Sequence, residues 1–187
     1  LYITMELLEG QSLRSLLEQE GPLSLSRAAR IVDQVCAGIS AAHRLAIVHR
    51  DLKPDNIVIL ADPTRRDFAK VLDFGIAKMK RHGDQPLTHE GLIIGTASYM
   101  APEQLKADVD VGPTSDIYAL GCILYELIIG TPPFGWGSEF EVMSSHLNDP
   151  APRLGQRRSD LTGTKLEALV ARMLSKDSGQ RPTSMDE

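Results

Sequence analysis

The chain has 187 residues, 42% of them hydrophobic and 24% charged, enough for a buried core and unlike the composition of a disordered segment. Its 20 basic and 25 acidic residues give a formal net charge of −5, with both signs interspersed along the chain. That pattern lacks the basic footprint that holds nucleic acid or an anionic membrane surface, so neither is expected as a partner.

In chain order, residues 1–5 alternate like a short strand and run directly into Glu6 without a signal-peptide pattern, so the chain is expected to begin within a domain. A polar hinge at Glu9, Gly10 and Gln11 precedes a small helix through Leu13, Leu16 and Leu17. After the turn at Gly21 and Pro22, Ala28, Ile31, Val32, Val35, Ile39 and Ala42 recur at helical spacing. They predict a longer helix capped by Ser24 or Ser26 and ending near His43. Two β-branched runs, 57–60 and 70–72, flank the polar stretch 61–67 and predict a hairpin.

Residues 74–99 are weakly periodic and rich in glycine and polar side chains, as expected of a long functional loop. Helices return beyond Pro113. The segment 115–129 is apolar nearly all round and predicts a central buried helix, whereas 139–147 and 165–174 are amphipathic and more peripheral. The most apolar run, from Ile117 to Gly130, contains Glu126 and is too short to span a bilayer. Cys36 and Cys122 both lie in helical patterns without metal-ligand or paired spacing, which predicts reduced core thiols and a reducing, cytoplasmic setting.

The densest chemical signal is His49, Arg50, Asp51, Leu52, Lys53, Pro54, Asp55 and Asn56, followed 17 residues after Asn56 by Asp73, Phe74 and Gly75. Downstream come Gly95 and Thr96, then Ala101, Pro102 and Glu103, then Asp116 and Gly121, then Pro132, Pro133 and Phe134, and finally Arg181. In identity, order and spacing these resemble the serine/threonine protein kinases, and the run from Gly95 to Gln104 is most similar to bacterial members. The resemblance covers essentially the whole chain. It implies a kinase-like C-terminal lobe: mainly α, with a small β-hairpin and a helical bundle around a buried central helix. Residues 1–187 would then be a partial kinase domain, holding the hinge strand and the large lobe without the small lobe or the final helix.

The resemblance also implies roles. Asp51 would steer or accept the proton of the substrate hydroxyl, Lys53 would offset charge on the transferred phosphate, and Thr96 would hydrogen-bond beside both. Asn56 and Asp73 would supply hard oxygen ligands to Mg²⁺. Met5 would stand beside the adenine pocket of ATP, with backbone groups of Glu6 and Leu8 meeting the base and Val58 forming its apolar floor. His49 and Phe74 would stack, Asp116 would anchor the catalytic loop, and Glu103 with Arg181 would form a structural ion pair. Arg50, with Lys78, would pair a phosphate on the activation loop, for which Thr88 is the best local acceptor and Glu90 a permanent partial substitute. Asp55 and Glu126 would favour basic residues upstream of the target hydroxyl, or be solvated or structural.

The implied partners are protein substrates with serine or threonine acceptors and the chain's own small lobe. Without that lobe's glycine-rich loop, strand lysine and helix glutamate, the fragment is expected to transfer little phosphate. A non-catalytic scaffold is the competing class. Intact Asp51, Lys53, Asn56 and Asp73 argue against it, and the Ala101, Pro102, Glu103 segment argues against a small-molecule phosphotransferase.

Overall fold

A computed structural model describes residues 6–62, 64–74, 97–106 and 111–187. Seven helices and three strands lie within those residues: β1 (Gly10–Ser12), α1 (Leu13–Glu20), α2 (Leu25–His43), β2 (Ile57–Leu60), β3 (Phe68–Val71), α3 (Pro102–Leu105), α4 (Pro113–Ile129), α5 (Glu139–Asn148), α6 (Leu154–Arg157) and α7 (Lys165–Met173). The strand expected over residues 1–5 lies outside the described residues. None of the described helices is long and apolar enough to cross a membrane.

The centre is α4. Pro113 opens it at a position where a missing N–H costs nothing, and Gly130 closes it at φ 90, a conformation that suits a residue without a Cβ. Every residue from Ser115 to Ile128 is buried, as the unbroken apolar run requires. Helices α2 and α7 pack against it. Gly121 permits the second contact, because a Cβ there would stand 2.9 Å from Cβ of Met173. Helix α2 buries Ala28, Ile31, Val35, Ile39 and Ala42, and the Ser24 hydroxyl accepts the Arg27 N–H, so the cap is Ser24 rather than Ser26. Cys122 is buried and Cys36 half-buried, both as free thiols. Burial pushes the Cys36 thiol up to about 11 and that of Cys122 higher still, which keeps both protonated and inert.

The sheet corrects two expectations. It has three antiparallel strands in the order β1, β2, β3, so the predicted hairpin gains an edge strand, and Gly10 and Gln11 are paired backbone rather than a free hinge. Gly10 opposes Leu60, and a side chain there would collide with the Ile59 carbonyl. Strand β3 begins at Phe68, earlier than the β-branched run suggested, in the register Ile57↔Val71. Ile57 and Ile59 point into the core, leaving Val58 on the opposite, half-open face.

Candidate active site

The loop between α2 and β2 carries most of the predicted site residues, and Asp116 on α4 shapes it. The Asp116 carboxylate is 1% exposed and accepts the backbone N–H of His49 at 2.8 Å and of Arg50 at 2.9 Å, with His43 Nε2 also at 2.8 Å. These bonds hold Arg50 at φ 64, a left-handed conformation that a non-glycine residue keeps only where its surroundings enforce it. From the far side, Gln104 of α3 donates its amide to the Arg50 carbonyl at 2.7 Å and accepts the Ala101 N–H at 3.0 Å. The peptide before Asp51 is therefore clamped from both ends.

Around that clamp stand the predicted reacting groups. Lys53 Nζ lies 3.7 Å from Asp51 Oδ2, both side chains mostly buried. Asn56 Nδ2 donates to the Asp51 carbonyl at 2.9 Å and sits 3.5 Å from Asp51 Oδ2. Ladder pairing continues one step past β3, since the Leu72 N–H donates to the Asn56 carbonyl at 2.8 Å. Asp73 thus follows directly on the residue paired with Asn56, at φ 52, a region that aspartate tolerates better than most residues. His49 is fully buried, its Nε2 2.9 Å from the Leu72 carbonyl and its ring 4.9 Å from Phe74. It binds the two halves of the site together.

With the Asn56 amide nitrogen committed to the Asp51 carbonyl, its Oδ1 is the atom left to act as a ligand. One amide oxygen and one carboxylate form a hard but sparse donor set, and no larger His, Cys, Asp or Glu cluster suited to a metal occurs among the described residues. Such a set fits Mg²⁺, which takes few protein ligands and fills its octahedron with phosphate oxygens and water.

The remaining predicted residues are dispersed. The Glu6 side chain is exposed and paired with Lys70 at 2.7 Å, Leu8 is half-buried, and Val58 shares the open face of the sheet with Lys70. Glu103 and Arg181 form a bidentate pair at 2.6 and 2.9 Å beneath the site. Met5, Lys78, Thr88, Glu90 and Thr96 lie outside the described residues. Glu126 is not open to a substrate as it stands: it is 1% exposed, accepts from Arg14 at 2.7 Å and from the Tyr99 hydroxyl at 2.6 Å, and is structural in this state. Nothing in the periodicity singles out Gln104, His43 or Arg14, whose partners lie far away in sequence.

A family model of the protein kinase domain matches residues 1–187. The chain is 41% identical over 180 residues to the serine/threonine-protein kinase PknD of Mycobacterium tuberculosis, covering 96% of this chain and 26% of that protein. It is 41% identical over 189 residues to the serine/threonine-protein kinase pkn3 of Myxococcus xanthus, covering 100% and 34%. The chain thus spans about a quarter to a third of the length of these curated relatives. Among solved structures it is similar to a point mutant of the Mycobacterium tuberculosis PknI kinase domain, with a TM-score of 0.70 and 27% identity, over 98% of this chain and 60% of that one. Rad53 in complex with AMP-PNP shares the fold, with a TM-score of 0.74 at 23% identity over 97% of this chain and 43% of that one. The chain belongs to the protein kinase domain family.

Proposed function

We propose that this chain is the catalytic lobe of a kinase that transfers the γ-phosphate of ATP to serine or threonine hydroxyls of protein substrates. The observation that carries the reading is the convergence of Asp51, Lys53 and Asn56 on one clamped loop, with Asp73 brought to its edge by strand pairing. In this scheme Asp51 orients the acceptor hydroxyl and takes its proton as the oxygen bonds to the γ-phosphorus and the bond to the ADP oxygen breaks. Lys53, already beside Asp51, offsets the charge spread over the phosphoryl oxygens. Asn56 and Asp73 would hold Mg²⁺, which when bound neutralises the phosphates and fixes their orientation.

The adenine would lie against Val58, whose side of the sheet is not used by the core, with the backbone of Glu6 and Leu8 and the side chain of Met5 at its rim. The small lobe would close the other side, so the chain by itself is expected to transfer little phosphate. Thr96 would stand beside Asp51 and Lys53. A phosphate on Thr88 would meet Arg50 and Lys78, and the buried Arg50 Nε, which has no hydrogen-bond partner among the described residues, supports that role.

The test uses a complete kinase domain that includes this chain, with ATP, Mg²⁺ and a generic protein acceptor. Phosphoserine or phosphothreonine should form, and Asp51→Asn should lower kcat by about 10²- to 10⁴-fold, as loss of a general base does. Undiminished transfer by Asp51→Asn would sink the assignment. Mass spectrometry of the active domain should show phosphate on Thr88; full activity with Thr88 unmodified would remove the regulatory part.

A further inference from the structure

We infer that Arg14 sets substrate specificity: its guanidinium occupies, from within the protein, the place where a basic side chain of a substrate would otherwise bind. The inference rests on the kinase reading above and goes further, to which sequences are accepted.

Glu126 lies on α4, buried from Ser115 to Ile128, where a carboxylate left without a partner is costly. Arg14 is that partner, donating from Nη1 to Oε1 at 2.7 Å and from Nη2 to the Tyr99 hydroxyl, which in turn donates to Oε2 at 2.6 Å. The Arg14 Nε is 3.8 Å from the half-exposed Asp55 carboxylate. One cation thus sits between two acids. Its side chain is 17% exposed while that of Glu126 is 1% exposed, so Arg14 stands between the buried carboxylate and solvent. Trp136, 53% exposed, has its ring 5.0 Å from the guanidinium and covers it further.

The position relative to the chemistry gives this arrangement its consequence. Asp55 lies between Lys53 and Asn56 on the catalytic loop, and Tyr99 lines the same small cleft as Asp51 and Lys53. A cation at this point lies beside the incoming acceptor segment. Two carboxylates with no internal partner would form a subsite for a substrate arginine. Here a substrate arginine would have to displace a tethered guanidinium, which competes at the high effective concentration of an intramolecular group, and would be repelled by it. The enzyme therefore does not favour basic residues beside the acceptor, and the exposed face of Trp136 offers contact to neutral or apolar ones.

The experiment is a positional peptide library, scanning about five residues on each side of the acceptor, phosphorylated by the complete kinase domain and by Arg14→Leu and Arg14→Gln. Wild type should prefer arginine over alanine by less than about twofold at every position. Either variant should gain a preference of about tenfold or more in kcat/KM at one position, the size expected of a charge-assisted hydrogen bond. Arg14→Leu leaves Glu126 without its cation, and its fold is checked by melting, whereas Arg14→Gln keeps a donor. The Arg14→Leu/Glu126→Gln pair, free of the buried charge, should show no gain. A wild-type preference for basic residues overturns the inference, as does a folded, active Arg14 variant with unchanged selectivity. Should the wild-type domain phosphorylate no peptide or protein at all, the kinase reading fails first and this inference with it.

Discussion

Replacing Arg181 by alanine removes the most heavily used buried cation among the described residues, and the structure sets the size of the effect. Its side chain is 0% exposed and holds Glu103 through two hydrogen bonds, the Thr114 carbonyl at 2.9 Å and the Ser175 carbonyl at 2.8 Å, with Tyr118 4.8 Å away beneath the guanidinium. In the variant Glu103 keeps only the Ser115 hydroxyl of its side-chain donors, and both carbonyls lose their donor. Breaking one side of a buried pair costs about 3–5 kcal/mol, a large share of the roughly 5–15 kcal/mol that stabilise a typical domain. For a chain of this length each kcal/mol lowers Tm by roughly 2–4 °C, so a fall of about 6–20 °C is expected by calorimetry, with aggregation on heating. Glu103→Gln combined with Arg181→Met should cost less than Arg181→Ala, because no charge is then stranded. Burial works to raise the Glu103 carboxyl, but hydrogen bonds from Arg181 and Ser115 outweigh it and hold the group below its ordinary value of 4.5. A depressed carboxyl stabilises the fold above that ordinary value, and the contribution is lost as pH falls through the folded value. Arg181→Ala should therefore also move acid unfolding, followed by circular dichroism, to higher pH. A Tm within about 2 °C of wild type would refute the reasoning.

Asp116→Ala should release the His49 and Arg50 amides at about 1–3 kcal/mol for each donor left unsatisfied, seen as faster hydrogen exchange at both; unchanged exchange would show that the loop does not depend on that carboxylate. Gly121→Ala drives a methyl against Met173 and Leu174 and should destabilise by about 1–3 kcal/mol in urea unfolding, whereas a neutral or stabilising result would mean that α7 can give way. His146 is fully buried, and burial first, then the nearby Lys176 charge, pushes its imidazole down to about 3. Because the unfolded chain takes up that proton near 6.5, stability should fall as pH drops from about 6.5 toward 3, and the His146 ring should show no NMR titration between pH 7 and 4. A midpoint near 6.5 would contradict the burial.

Some of this was legible in the sequence because its signals are local. The apolar positions from Ala28 to Ala42 repeat at the helical period, Ser24 is an ordinary cap, and a run as apolar as 115–129 has nowhere to go but the centre. Strand β1 was not legible, since Gly10, Gln11 and Ser12 carry no alternation and pair only because β2 offers an edge that a glycine backbone can approach.

The sequence by itself determined which groups stand at the proposed site, because the run from His49 to Asn56 and the following Asp73 and Phe74 are chemical identities in a fixed order. Only the tertiary structure decided what those groups face. Gln104 meets the Arg50 carbonyl, His43 meets Asp116, and Arg14 fills the ground between Asp55 and Glu126 across separations of 54, 73 and 112 residues. No local period encodes such pairings. They arise when packing brings buried carboxylates and carbonyls to places where only a particular distant donor can satisfy them.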